Sequence, residues 1–233
     1  MIISKSRAAV SEEGIRNWFV ELKKYIDKEK LNDAIEVATR IFNCDEIGMN
    51  FCPKEGKLLG PRNYKNFYEI ASGPEKENIT VLCNCSAVGI TVPPLIVLPY
   101  KRIPRDVGLS IPDNYFVGRS DSGWMVSETF FEYISNCFSV WLKSNNIKLP
   151  VILVLDGHKS HVNLGTVRFC SENGIVLYCP YSTSTHIMQP CDVAILKPLK
   201  SAWKKVVEYK HENQKYITKL SFAPLFKKAL DKI

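Results

Sequence analysis

The segment PVILVLDGH at residues 150–158 constrains the fold more than any other part of the sequence. It is an uninterrupted apolar run that ends in Asp156, and such a run is typical of a strand buried on both faces of a parallel sheet. A second apolar run, IVLYCP at 175–180, follows a helix predicted over 162–173. Parallel strands need a crossover connection, usually a helix packed on the sheet, so the pair of runs predicts an α/β protein.

The remaining patterns extend this prediction to one domain with a mixed sheet flanked by helices. A capped helix, a first strand, a hairpin, a long helix and a final helix are predicted at 10–26, 40–51, 79–100, 126–146 and 193–209. Ser11 and Ser127 are the expected N-caps. Residues 54–67 are predicted to be a loop and 101–124 irregular surface. Trp124 and Trp203 are expected to be core residues, because each lies on or beside an apolar stripe.

Composition excludes several classes of protein. The 233 residues are 45% hydrophobic and 24% charged, which is ordinary for a globular chain and rules out collagen-like or wholly disordered structure. No apolar run reaches the roughly 20 residues of a membrane-spanning helix, so no membrane partner is expected. The N-terminus becomes charged at once and shows no secretory signal.

The eight cysteines include no C-x-x-C pair and lie mostly in apolar runs. This pattern favours reduced, buried thiols and therefore the cytosol or the nucleus. Cys83 and Cys85 share one face of a predicted strand, which leaves a metal site open as a less favoured alternative. That alternative lacks histidines at ligand spacing.

Three aspartates lie at the ends or interruptions of predicted elements: Asp45 in the first strand, Asp156 after the buried strand and Asp192 at the start of the last helix. Each alone could be a turn or cap residue. If the three carboxylates converge to about 5 Å, each pair repels by roughly 3 kcal/mol at an effective dielectric constant of 20. Hard cations such as Mg²⁺ or Mn²⁺ relieve that repulsion, and a two-metal carboxylate site is suited to phosphoryl transfer.

Excess positive charge is concentrated near the end of the chain. The formal net charge is +7, and seven lysines lie between residues 197 and 219. A solvated helix face is one explanation. A surface that contacts nucleic-acid phosphates is the other, with Lys197, Lys200, Lys204 and Lys205 as its candidate residues.

Several motifs together resemble the DDE superfamily endonuclease domain of pogo, Tigger and jerky-type transposases. The most specific are FNCDEIGM at 42–49, SGWM at 122–125, LVLDGHKSH at 153–161 and THIMQPCDVAILKPLK at 185–200. LDGHKSH followed by QPCD is the strongest part of this resemblance. One departure is the segment CPYSTSTH at 179–186, where Ser182 stands in place of a histidine that is frequent in relatives.

The resemblance implies an RNase H-like fold with Asp45, Asp156 and Asp192 as catalytic residues and as ligands of two Mg²⁺ or Mn²⁺ ions. Glu46, His158 and His161 are expected to orient those ligands through hydrogen bonds. The implied activity is metal-dependent cleavage of DNA followed by strand transfer, with DNA as partner, the nucleus as compartment and a homodimer as one option for assembly.

The expected organisation is a single domain over residues 1–233, with a helical lead-in at 8–36, a catalytic core at about 37–210 and no upstream helix-turn-helix module. The alternative function is a catalytically silent, host-adopted DNA-binding or interaction protein that retains the fold. A small-molecule hydrolase is disfavoured because the sequence has no G-x-S-x-G elbow and no Walker-type loop.

Overall fold

The structure is a computed structural model that describes residues 10–51, 78–181, 184–213 and 215–233. The loop predicted at 54–67, Cys52 and Ser182 lie outside these ranges. No helix in the described ranges combines the length and the apolar character that crossing a bilayer requires.

One mixed sheet forms the centre of the described fold. Its strands are β1 Ile41–Asn50, β2 Asn78–Ser86, β3 Thr91–Pro99, β4 Phe116–Ser120, β5 Val151–Val154 and β6 Ile175–Tyr178. Their order across the sheet is β4-β3-β2-β1-β5-β6. β1, β2 and β3 are antiparallel neighbours, whereas β4, β5 and β6 each pair in parallel. The predicted hairpin and the predicted parallel strands are therefore confirmed.

Helices cover both faces of the sheet. They are α1 Glu12–Lys28, α2 Asn32–Ile35, α3 Arg105–Leu109, α4 Ser127–Glu132, α5 Ser139–Ser144, α6 Leu164–Glu172, α7 Thr185–Met188, α8 Lys197–Glu212 and α9 Lys219–Leu230. π-Helical turns at Tyr133–Phe138 and Asp192–Leu196 join α4 to α5 and lead into α8. Ser11 accepts a hydrogen bond from the Gly14 amide and caps α1, as predicted.

The sheet separates two parts of the core because strand side chains alternate between faces. Phe42 and Cys44 of β1 pack with the α4–α5 helix and α6. Ile47 and Met49 pack on the opposite face with α8 and α9. On that second face, α1 and α2 cover β5 and β6. Phe222 and Phe226 of α9 are fully buried, so the core continues past residue 210.

Three details of the sequence prediction were wrong. Residues 101–124 contain α3 and the edge strand β4, which local pattern missed because β4 is only five residues long and is held by pairing with β3. Ser127 is the first residue of its helix and makes no capping hydrogen bond, since Val126 occupies the cap position. Trp124 is 56% exposed rather than buried, whereas Trp203 is buried as expected.

Candidate metal and nucleic-acid site

Asp45 and Asp156 are brought together by the parallel pairing of β1 and β5. Asn43 and Val154 are register partners, and each aspartate lies two residues further along its own segment. Positions two apart share a face of the sheet, so both carboxylates are directed to one region at the carboxyl end of β5. This is the edge at which open α/β sheets bind ligands.

Asp192 reaches the same region from a different kind of element. It is the first residue of the π-helical turn that leads into α8, and a third of its side chain is exposed. A helix start is positioned by tertiary contacts and not by a strand ladder. The contacts of Cys191, directly before it, and of Gln189 therefore decide where its carboxylate lies.

Asn43 links all three acid-bearing segments. It is buried on β1, two residues before Asp45. Its Nδ2 donates to the Val154 carbonyl at 2.8 Å, two residues before Asp156. Its Oδ1 accepts from the Cys191 amide at 2.7 Å, one residue before Asp192.

Gln189 adds a second tie between β1 and the turn that carries Asp192. It is fully buried, and its Nε2 donates to the Cys44 carbonyl at 3.0 Å. Sequence reasoning missed both Asn43 and Gln189. The available signal was Asn43 itself, because a polar residue within an apolar strand needs a buried partner.

Electrostatics show that the carboxylates act on one another. Burial raises the pKa of Asp45 to about 7, and the nearby charges of Asp156, Asp192 and Glu46 also raise it. The Glu46 amide donates to Asp45 Oδ1 at 2.8 Å, which works in the opposite direction. Asp45 is thus an acid that holds its proton near neutral pH, mainly because it is buried and also because negative charge surrounds it.

His161 connects two of these carboxylates. Its Nδ1 donates to Asp156 Oδ1 and its Nε2 donates to Glu46 Oε1, each at 2.5 Å. Burial lowers the pKa of His161, but these hydrogen bonds and charges outweigh it and raise the pKa to about 9. The imidazolium also packs on Phe130, with ring centroids 4.4 Å apart.

The pairing with His161 lowers the pKa of Asp156, whereas it raises the pKa of His161. Burial raises the pKa of Asp156, but the hydrogen bond and charge of His161 outweigh that effect, so the net shift is downward. His158 contributes through its charge and through its amide, which donates to Asp156 Oδ1 at 3.4 Å. The His158 ring itself contacts the Ser160 hydroxyl at 2.7 Å and not a carboxylate. Of the two histidines, only His161 is therefore seen to orient acids through its ring.

Four lysines continue from the acids along the exposed side of α8. Lys200 Nζ lies 3.6 Å from Asp192 Oδ1, which places one end of the row at the acid cluster. Lys197, Lys204 and Lys205 are also exposed, and Lys204 contacts Glu208 at 3.4 Å. Exposed ion pairs of this kind contribute about 0–1 kcal/mol, so Lys200 and Lys204 are only weakly bound to Asp192 and Glu208.

Within the described ranges, no three His, Cys, Asp or Glu side chains already surround one point as metal ligands. Asp156 and Glu46 are instead paired with His161, and Asp192 is paired with Lys200. As a donor set they still fit a hard cation, because they offer carboxylate oxygens at one sheet edge and because Asp45 is short of compensating positive charge.

The described architecture resembles solved transposase structures. The Mos1 transposase paired-end complex with left transposon end superposes with a TM-score of 0.55 at 11% identity, covering 100% of this chain and 61% of that one. A pre-cleavage Mos1 transpososome gives 0.55 at 10% identity, and a Mos1 mariner paired-end complex with Mn gives 0.54 at 11%; each is covered over 64% of its length. The mixed sheet and its helices thus form the RNase H-like fold of transposase catalytic domains.

Sequence comparison then defines the family. Residues 76–232 match the DDE superfamily endonuclease family, so the chain belongs to that family. It is also 31% identical over 198 residues to a protein named MFS-type transporter clz9 from Cochliobolus lunatus. That match covers 82% of this chain and 21% of the relative, so the chain spans about a fifth of that protein's length.

Proposed function

We propose that this chain is the catalytic domain of a divalent-metal-dependent DNA endonuclease that also performs strand transfer. Asp45, Asp156 and Asp192 are its proposed catalytic residues and metal ligands. The observation that carries the proposal is that Asn43 holds the three acid-bearing segments together, through its bonds to the Val154 carbonyl and the Cys191 amide. The match to the DDE endonuclease family, over residues 76–232, includes Asp156 and Asp192 and supports their assignment.

Two Mg²⁺ or Mn²⁺ ions are the proposed cofactors. Mos1 complexes with Mn and with Mg share the fold, with TM-scores of 0.54 and 0.50. Such ions, when bound between carboxylates, polarise phosphate oxygens and stabilise the charge of an in-line displacement. Binding there requires Asp45 to give up its proton, because only the carboxylate is a ligand.

The surrounding residues have separate proposed tasks. His161 holds a proton on each ring nitrogen and thereby fixes the carboxylates of Asp156 and Glu46. His158 is proposed to support Asp156 through its amide and its charge. Lys197, Lys200, Lys204 and Lys205 are proposed to contact the phosphates of DNA, which would hold the duplex beside Asp192.

DNA is therefore the proposed substrate, and the nucleus the proposed compartment. A homodimer is the assembly we propose for holding two DNA ends together. These three proposals rest on the family and on the lysine row.

The proposal is tested by nicking of supercoiled plasmid DNA in the presence of Mn²⁺. Wild-type protein is expected to convert the plasmid to the open-circular form, whereas Asp156→Asn, which removes one ligand charge, is expected to abolish nicking. Asp27→Asn is the matched control, because it makes the same chemical change at an exposed position near the end of α1. It should nick as wild type does.

Equal nicking by wild type and Asp156→Asn would contradict the assignment of the acids. The silent, DNA-binding alternative predicts a different result: salt-dependent DNA affinity without cleavage and without stabilisation by Mn²⁺. Thermal unfolding with and without Mn²⁺ separates the two functions even where nicking is slow.

A further inference from the structure

Two cysteines outside the acid cluster lie close enough to react with each other. Cys85 Sγ on β2 is 3.6 Å from Cys191 Sγ, and Cys191 directly precedes Asp192. Cys85 lies opposite Asn43 in the β1–β2 ladder. The two cysteines are therefore next to the residue that holds the acid-bearing segments together. All seven cysteines in the described ranges are free thiols.

The two thiols differ in their access to solvent. Cys85 is half-buried and lines a cavity of about 620 Å³ that also includes the β2–β3 turn and the end of the chain at Asp231 and Ile233. Cys191 is fully buried behind it. A small oxidant in the cavity therefore meets Cys85 first, and Cys191 is the thiol placed to react next.

We propose that Cys85 and Cys191 form a reversible disulfide when the protein meets a peroxide, and that this bond displaces the segment carrying Asp192. The Cys85 sulfur attacks hydrogen peroxide, the O–O bond breaks, and Cys85 becomes a sulfenic acid as one water leaves. The Cys191 sulfur then displaces the sulfenic hydroxyl, which leaves with the Cys191 proton as a second water. Peroxide is the oxidant, and the two thiols supply both electrons.

The electrostatics of the pair agree with this order of reaction. Contact with the Cys191 thiol lowers the pKa of Cys85, against the raising effect of burial. A thiolate is the form that reacts with oxidants, so Cys85 is favoured over the other buried thiols as the first site of attack.

Displacement follows from the distances. A disulfide bond is about 2.05 Å long, so the sulfurs must approach by about 1.5 Å from their 3.6 Å separation. Cys191 is held by Asn43 through its amide at 2.7 Å and through its thiol, which donates to the Asn43 carbonyl at 3.0 Å. Moving Cys191 toward β2 strains these contacts and shifts its neighbour Asp192. The consequence for metal binding rests on the proposed function, whereas disulfide formation does not.

The disulfide is tested by adding peroxide to the folded protein, alkylating the remaining thiols and analysing peptides by mass spectrometry. A Cys85–Cys191 linked peptide that disappears with dithiothreitol is the expected result. Cys85→Ser should give no such peptide, and Cys137→Ser, which removes a half-buried thiol on the other face of the sheet, should still give it. Peroxide treatment that leaves both Cys85 and Cys191 open to alkylation would overturn the proposal.

The displacement is tested by two measurements on reduced and oxidised protein. Hydrogen exchange at the Cys191 amide should become faster on oxidation, because that amide loses its Asn43 acceptor. Mn²⁺ affinity by calorimetry should fall about 10-fold or more, as when a group that orients a ligand is lost. In Cys85→Ser, neither quantity should respond to peroxide.

The two proposals fail in different ways. If reduced protein binds no Mn²⁺, the proposed function fails, while the peptide analysis and the hydrogen exchange still decide the disulfide and the displacement. If hydrogen exchange at the Cys191 amide is as slow in the disulfide-linked protein as in the reduced protein, the proposed displacement is wrong. This conclusion does not depend on the Mn²⁺ affinity.

Discussion

Asp45 and Asp156 differ from Asp192 in what holds them in place. The first two stand on or just after neighbouring parallel strands, where a backbone ladder with Asn43 opposite Val154 sets their relative position. Asp192 begins a π-helical turn that is tied to β1 by side chains. Backbone pairing is robust to side-chain changes, whereas a tether of two side chains is not. Of the three acids, Asp192 is thus the one whose position depends most on side-chain contacts.

The same contrast appears in charge. Asp45 is enclosed and raised in pKa, while Asp192 is partly exposed and lies beside Lys200. Burial makes ionisation of Asp45 unfavourable, whereas His161 lowers the pKa of the other strand-borne acid, Asp156. A cation bound between Asp45 and Asp192 would have to compensate mainly for the charge of Asp45.

The largest expected effect is on the strand-borne side, in Asp45→Asn. Because folding raises the pKa of Asp45 from 3.8 to about 7, the folded protein retains a proton that the unfolded chain loses. Stability of the metal-free protein should therefore decrease as pH rises from about 4 to about 7. Asp45→Asn should remove that decrease and be more stable above pH 7 by up to about 4 kcal/mol, since one pKa unit corresponds to about 1.36 kcal/mol.

Urea unfolding of wild type and Asp45→Asn across pH 4–8 measures this difference. The two proteins should differ little near pH 4, because this pH is close to the unfolded pKa of 3.8 and the folded protein keeps Asp45 protonated. A constant difference at all pH values would mean that Asp45 ionises freely, and the contrast between the two regions would disappear.

The next effect concerns the tether, in Asn43→Ala. This change leaves the Cys191 amide without its acceptor and is expected to lower stability by about 1–3 kcal/mol. Mn²⁺ affinity should fall about 10–100-fold, because Asp192 loses its link to β1. Calorimetric titration and chemical unfolding measure the two quantities separately.

Asn84→Ala is the matched control for that tether. Asn84 is an equally buried asparagine that donates to Tyr133 Oη at 3.1 Å on the opposite face of the sheet. It should lower stability with Mn²⁺ affinity unchanged. If both variants lose affinity in proportion to stability, Asn43 has only a general structural role.

The smallest effect is expected at Lys200→Ala. Its contact with Asp192 is exposed, so the free energy of unfolding should change by less than about 1 kcal/mol. The slope of log affinity for DNA against log salt concentration should decrease by about 1, since one phosphate contact is lost. Lys143→Ala, an exposed lysine on α5 at the other face, should leave the slope unchanged. Equal slopes for wild type and Lys200→Ala would remove Lys200 from the proposed DNA surface.

The sequence predicted the elements that have a local apolar pattern and missed those that depend on contacts with distant parts of the chain. Five of the six strands and the helices α1, α4, α5, α6 and α8 were predicted because their apolar periodicity is local, and the order of Asp45, Asp156 and Asp192 in the motifs indicated the family. β4 was missed because its stability comes from pairing with β3, and α9 was not predicted although Phe222 and Phe226 complete the core.

The sequence alone determined which residues could do chemistry and on which kind of element most of them lie, because hydrophobic period and residue type are properties of neighbouring positions. Only the tertiary structure decided that Asn43 ties three segments together, that His161 lies between Glu46 and Asp156, and that Cys85 faces Cys191. Each of these contacts except that between His161 and Asp156 joins residues more than 100 positions apart. Sheet pairing and helix packing create such contacts, and no local pattern encodes them.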